Sequence, residues 1–530
     1  MDYVPPSITL RKWQDEFIPR LIKHQEGSMR KPAEERQAFL LNAFPGAGKT
    51  YAQLVASAYM LRQGFVEFLV FVVPSDKLRT DFARDAKTFG LILHNKPNLK
   101  VNLEATDGIV LTYSQLNVQN VATLKLWAET RNLMVSADEI HHLGARNSWG
   151  QMFEDAFQLS TVRLLTTGTP FRSDGGRIPW TTVRGDQLIL AGPGAYSYGY
   201  REALLEGEVV REVEFHSWDG TVGWRSPDGQ TNYTHEINED LGAAYPDMST
   251  DEIRRLESAR RRHCLEPHFR YTRDQLNKAH KRLIAIRNRH PWAGGLIVCD
   301  TREHADEVAT LVREITNTKP AVIHGESDGY KDKLEAFQVD RTYHRTPWLI
   351  SVGMVTEGVD IKHLRVCVYL CRKKAPLFWT QVLGRILRWE QGAGEEQTAE
   401  FFQYNDGYNS RTESRDPRTN AVNLRKYADN ILEQLESVIR ERPNTEPTRR
   451  PDPDFPPDDN VQPMRSEGLF ASGEDNERLM NGESFNSNYL DRFRPQAEAC
   501  NMNVTKYVAM LRKQNPESWK RDAEAANSSD

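Results

Sequence analysis

Residues 39–54 read FLLNAFPGAGKTYAQL: an apolar run, a glycine-rich turn, a Lys-Thr pair and the start of a helical pattern. That order carries chemistry. Gly46 and Gly48 let the backbone N–H groups around Ala47 approach and surround phosphates, Lys49 reaches the β and γ phosphates, and Thr50 offers its hydroxyl to Mg²⁺ at a helix N-terminus. The stretch departs from the strict phosphate-loop pattern only in placing Ala43 at its first glycine position. It predicts a strand, a phosphate-binding loop and a helix in succession.

The same alternation continues outward. FLVFVV, GIVLT, NLMVSA and RLLTT, then GGLIVC, PAVIHG, WLISVG and VCVYLC, are short apolar runs bounded by turn residues, and each reads as a buried parallel strand. Helical patterns such as HADEVATLVREIT lie between them, so the fold class is α/β with two tandem doubly wound parallel-sheet domains, at about residues 1–200 and 275–440. The connecting segment 201–274 contains VVREVEFHSWDGTVGWRSPDG, which reads as a β-hairpin, and the charged helical stretch TDEIRRLESARRRHC. A Pro/Asp-rich stretch over 441–475 predicts a disordered linker, and 476–530 a small helical tail.

Composition narrows the field. A chain of 530 residues exceeds what one core serves, and its net charge of -5, from 69 basic and 74 acidic residues, excludes a generally cationic coat while allowing a local basic groove. The five cysteines (Cys264, Cys299, Cys367, Cys371 and Cys500) form no CxxC pair, against a disulfide framework or zinc ribbon and in favour of a reducing cytoplasm. No run is long enough to cross a bilayer, so no membrane partner is expected.

SADEIHHLGARNSW, residues 136–149, follows one of the apolar runs. A nucleotide-hydrolysing domain needs a carboxylate at a strand end to hold Mg²⁺ and a second to orient the attacking water. Asp138 suits the first role and Glu139 the second, because adjacent residues at a strand end point different ways. Neighbouring His141 and His142 lack the spacing of a zinc pair.

With these residues in order, the chain resembles the superfamily 2 helicases of the DExH-box branch, with a type III restriction or UvsW-like helicase core and two RecA-like domains. The resemblance spans roughly residues 8–400 and rests on ordered motifs. It implies ATP and Mg²⁺ as cofactors, with Gln14 of LRKWQ on the adenine. Pro74 and Ser75 of VVPSDKL, Thr112 and Tyr113 of LTYSQL, His324 and Gly325 of VIHG, and Thr356 of SVGMVTEGVDI become nucleic-acid contacts. Gly358 and Asp360 of that last motif, with Gln381 of QVLGRILR, join the nucleotide site. His141, Thr167 and Thr169 couple hydrolysis to domain movement, and Arg385 and Arg388 act as arginine fingers. Three apart on a helix, those two arginines would share one face.

Sequence-tolerant binding follows from such backbone contacts, DNA being favoured over RNA by the resemblance. Trp149, Trp379 and Trp389 lie near motifs but read first as packed core. Tyr196, Tyr198 and Tyr200 have strand spacing and read as packing residues. The arginines Arg254, Arg255, Arg260, Arg261 and Arg262 fit either a duplex path or a solvated helix face. The expected function is an ATP-dependent DNA helicase or translocase. The alternatives are an RNA helicase of the same core, and an ATP-dependent nucleic-acid-binding subunit that recruits a nuclease, with the tail as candidate partner site.

Overall fold

The structure is a computed structural model that describes residues 8–96, 98–145, 147–168, 178–184, 187–190, 194–218, 221–226, 230–237, 239–267, 269–324, 329–339, 347–353, 361–373, 375–392, 397–404 and 424–441. The expected linker past Glu441 and the expected tail lie outside the described residues. Two compact units divide the chain, Met1–Val209 and Val210–Asp530.

The first unit contains β1 (Phe39–Ala43), β2 (Phe68–Val73), β3 (Leu93–His94), β4 (Gly108–Thr112), β5 (Leu133–Ala137), β6 (Val162–Thr167), β7 (Thr181–Arg184), β8 (Gln187–Leu190) and β9 (Ala195–Tyr198). Seven of these form one sheet in the order β3-β4-β2-β5-β6-β1-β9, parallel at every pairing, while β7 and β8 make an antiparallel hairpin. Every residue of β2, β4, β5 and β6 is buried, as strands covered on both faces require. Phe68, Val70, Ile109, Val135 and Phe153 share the core there. Because β6 lies between β1 and β5 and all run the same way, the loops after these three strands open at one end of the sheet.

The second unit contains β10 (Glu212–Trp218), β11 (Thr221–Arg225), β12 (Asn232–Glu236), β13 (Gly294–Cys299), β14 (Ala321–Ile323), β15 (Trp348–Val352), β16 (Leu364–Leu370) and β17 (Thr398–Tyr404). Its main sheet has the order β10-β17-β16-β13-β15-β14, again parallel throughout. Both sheets are the doubly wound, RecA-like kind. Among the described residues no helix is long and apolar enough to cross a membrane.

Two differences from the sequence reading concern this second sheet. The stretch expected to fold as one hairpin is split: β10 is an edge strand paired in parallel with β17, and the hairpin is β11 with β12. β17 itself is missing from the apolar runs named above. The reason is the same for both strands. Glu214 and His216 on β10 and Glu400 and Gln403 on β17 are buried polar residues that break the apolar pattern. Arg282 binds Glu400 with Nε 2.7 Å from Oε1 and Nη2 2.6 Å from the same oxygen, His216 Nε2 lies 3.0 Å from Glu400 Oε2, and Trp379 Nε1 donates to Gln403 at 2.9 Å. Distant partners make these positions tolerable inside.

Candidate nucleotide site

The phosphate loop connects β1 to the helix Lys49–Arg62, with Gly48 as its N-cap. Gly46 and Gly48 have φ of 88° and 94°, the left-handed region in which a side chain is strained. The carbonyls of Gly46, Ala47 and Gly48 accept hydrogen bonds from Arg11 Nη1 (3.1 Å), Trp13 Nε1 (3.1 Å) and Gln14 Nε2 (2.9 Å). The Ala47 N–H donates to the Phe44 carbonyl at 3.0 Å, so it closes a turn within the loop instead of standing ready for a phosphate as expected. Thr50 follows Lys49 in the first turn of the helix.

The Asp-Glu turn lies two strands away, after β5. Asp138 is buried, and its Oδ1 accepts from Thr166 Oγ1 on β6 at 2.7 Å and from Gln53 Nε2 on the loop helix at 3.1 Å. Ser136 Oγ in turn donates to Gln53 Oε1 at 2.8 Å, which fixes the amide. Glu139 takes a φ of 51°, uncommon for a residue with a side chain, and turns its carboxylate elsewhere. Lys49 Nζ stands 3.2 Å from its Oε1, and the Gly168 N–H donates to its Oε2 at 3.1 Å. His141 Nδ1 lies 3.5 Å from that Oε2 and 3.5 Å from Thr167 Oγ1. Thus the phosphate loop, the Asp-Glu turn and the end of β6 meet through side chains.

Electrostatics separates the two carboxyls. Burial, and then the charge of Glu139, push the Asp138 carboxyl above the usual carboxylate range against the pull of Lys49, Thr166 and Gln53. Burial would also raise the Glu139 carboxyl, but Lys49, His141 and the Gly168 N–H overcome it and hold the group below that range. Asp138 and the Thr50 hydroxyl are hard oxygen donors, the set that suits Mg²⁺. Gln53 and Thr166 had no motif signal, since their role appears only when helix and strand are brought together.

Several expected nucleic-acid contacts take other places. The Tyr113 side chain is fully buried and its hydroxyl donates to the Asp138 carbonyl at 2.6 Å. Thr112 is buried too, with Oγ1 2.9 Å from Ser114 Oγ. Both residues are buried as a whole, side chain and backbone together. Ser75 Oγ caps the helix Asp76–Ala86 by accepting from the Leu78 N–H at 3.4 Å; the partly exposed Pro74 precedes it, and His324 follows β14. Thr169, Gly325, Thr356, Gly358 and Asp360 lie outside the described residues.

The second unit corrects the arginine pair. The helix Pro376–Ile386 carries Gln381 and Arg385, both buried, and it ends before Arg388, which forms an antiparallel bridge with Val210. Helical spacing therefore does not put Arg385 and Arg388 on one face. Arg211 explains the stop. Its guanidinium is fully buried and donates to the carbonyls of Leu364 (2.6 Å), Lys362 (2.7 Å) and Ile386 (3.0 Å), so it closes the C-terminus of that helix.

Other candidates resolve into packing. Trp379 is buried, and Trp149 stacks on Tyr113 at 6.3 Å between ring centroids. Tyr196 and Tyr198 stack on Trp13, whereas Tyr200 begins the helix Tyr200–Glu206. Arg260 is buried on the Glu236 and Glu239 carbonyls and Arg261 pairs with Glu257, leaving Arg254, Arg255 and Arg262 as the exposed arginines of that helix. Glu214, His216 and Glu400 each place a ligand atom within 4.8 Å of the others, but the Arg282 guanidinium already supplies the cation there.

Residues 7–172 match the family described as type III restriction enzyme, res subunit. An uncharacterized protein of Mycobacterium tuberculosis is 35% identical over 385 residues, covering 72% of this chain. The chain spans 59% of the length of that relative. Among solved structures, the ATP-dependent type ISP restriction-modification enzyme LlaBIII bound to DNA aligns with a TM-score of 0.47 and 16% identity, over 81% of this chain and 30% of that one. S. cerevisiae Dbp5 bound to RNA and ADP BeF3 aligns with a TM-score of 0.42 and 13% identity, over 81% and 87%. The phosphate loop and the Asp-Glu turn behind it both lie within residues 7–172, the span that is similar to the type III restriction enzyme res-subunit family.

Proposed function

We propose that the chain is an Mg²⁺- and ATP-dependent DNA translocase that couples hydrolysis to movement along DNA and to its remodelling. One observation carries this reading: Lys49, Asp138 and Glu139 are assembled by three neighbouring strand ends, with Lys49 3.2 Å from Glu139 and Asp138 held separately by Gln53 and Thr166. In this reading Lys49 holds the β and γ phosphates, Thr50 and Asp138 hold Mg²⁺, and Glu139 orients the attacking water. Gln14 reads the adenine, Arg385 and Arg388 neutralise transition-state charge, and His141 with Thr167 reports the state of the nucleotide. The preference for DNA rests on the restriction-enzyme family match.

The test is ATP turnover measured side by side with single-stranded, duplex and forked DNA and with RNA. Stimulation by DNA, with movement detected by displacement of a bound roadblock, is the expected result. Stimulation by RNA alone would replace DNA with RNA in the assignment. ATP binding without turnover or displacement on any nucleic acid would overturn it in favour of a clamp that delivers a partner nuclease.

A further inference from the structure

Arg11, Trp13 and Gln14 come from one turn at the start of the helix Lys12–Met29, and they tether three consecutive carbonyls of the phosphate loop. A peptide unit is planar, with its C=O and N–H on opposite sides. A carbonyl drawn outward therefore turns the following N–H the other way. Tethering Ala47 sets the Gly48 N–H, and tethering Gly48 sets the Lys49 N–H, the donors at the helix start where a phosphate chain would sit. The loop needs such help because its two glycines at positive φ leave it many other conformations.

The tethering turn is itself anchored. Trp13 is 1% exposed and lies between Phe17, Tyr196 and Tyr198, its ring 5.0 Å from that of Tyr198. Glu206 accepts the Lys12 N–H at 2.7 Å and the Tyr198 hydroxyl at 2.6 Å, joining the helix start to the same aromatic group. Gln14 Oε1 accepts the Arg11 N–H at 2.9 Å, which leaves its amide nitrogen as the donor toward Gly48. Packing alone would ask only for an aromatic ring at position 13. The indole N–H aimed at a loop carbonyl is an addition that packing does not require.

We propose that Trp13 and Arg11 are positioning residues for polyphosphate binding whatever base the phosphate chain carries: Trp13 presets the Gly48 N–H, and Arg11 holds the Gly46–Ala47 peptide, whose N–H closes the loop turn onto Phe44. The inference rests on the nucleotide reading above and adds to it a brace for the loop. Gln14, assigned above to the base, also braces the Gly48 carbonyl, so the brace is tested at Trp13 and Arg11, which have no assigned contact with the base.

The experiment uses the full chain, with inorganic tripolyphosphate as a ligand that has no base. Its inhibition constant against ATP turnover, the KM for ATP and kcat are measured for wild type, Trp13→Phe, Arg11→Met and Arg11→Lys. Trp13→Phe keeps the ring and removes the donor. It should raise the KM for ATP and the inhibition constant of tripolyphosphate by the same factor, about fivefold for one hydrogen bond, with kcat changed less than about twofold. Arg11→Met should do likewise and Arg11→Lys should recover most of the loss. Arg11→Met carries the test alone if Trp13→Phe fails to fold.

A raised KM for ATP with unchanged inhibition by tripolyphosphate would place these residues on the base and overturn the proposal. So would variants indistinguishable from an active wild type, which leave the nucleotide reading standing. A wild type that turns over no ATP and binds no tripolyphosphate would instead remove the nucleotide reading, and this inference with it.

Discussion

Lys49 Nζ lies 3.2 Å from Glu139 Oε1, so the cation proposed for the phosphates and the carboxylate proposed for the attacking water are direct ionic partners. Lys49→Ala should therefore lose ATP turnover through weakened binding, by about a hundredfold or more. Glu139→Gln should bind ATP but hydrolyse it at least about a hundredfold more slowly. Nucleotide binding and single-turnover hydrolysis, measured separately, distinguish the two. Unchanged turnover in Glu139→Gln would remove that residue from its role.

Gln53 and Thr166 both donate to one oxygen of Asp138. Replacing them together, as Gln53→Leu with Thr166→Val, should leave the fold intact while freeing the Asp138 carboxylate to rotate. The expected result is an approximately tenfold higher Mg²⁺ requirement for ATP turnover, as for loss of a residue that orients a metal ligand. A Mg²⁺ titration at fixed ATP checks this.

Gly48 has a φ of 94°, and a Cβ placed on it would stand 3.0 Å from Gln14 Nε2. Gly48→Ala should cost about 1–2 kcal/mol locally, because an L side chain is strained in this region. It should also displace the Gln14 tether. Thermal unfolding with and without ATP should show a small loss in the free protein and a much smaller stabilisation by ATP than in wild type.

Arg282 is the cation between the buried carboxylates of Glu214 and Glu400. Arg282→Met should destabilise the second unit by roughly 3–5 kcal/mol, since it leaves buried charge uncompensated. The pH dependence should also change sign. Burial alone would raise the Glu400 carboxyl, but Arg282 and His216 hold it well below the usual range. In wild type that contribution is present above the ordinary carboxylate pKa and is lost as pH falls toward the depressed folded value. Without Arg282 burial dominates and raises the folded value, so the variant should recover stability relative to wild type as pH falls. Urea unfolding at several pH values from neutral to mildly acidic tests both the magnitude and the crossing.

Some parts of this protein are legible residue by residue because their reason is local. The loop from Gly46 to Thr50 needs glycines, Lys and Thr at fixed spacing, and β2, β4, β5 and β6 are apolar on both faces, so each announces itself in a few consecutive letters. Asp138 and Glu139 were expected to point different ways, as adjacent side chains at a strand end do, and the structure gives them separate partners.

Other parts have reasons that lie far along the chain. β10 and β17 look too polar for an interior sheet until Arg282, 118 positions from Glu400, neutralises them. The Arg385–Arg388 spacing suggested one helical face until Arg211 closed the helix at Ile386. Tyr113 sits in a motif, yet its hydroxyl is spent on the Asp138 backbone. The sequence alone determined the strand order of chemistry, from phosphate loop to acidic turn, because local spacing suffices for it. Only the tertiary structure decided which side chains orient that chemistry, because Trp13, Gln53 and Thr166 act through hydrogen bonds to groups 28 to 85 positions away.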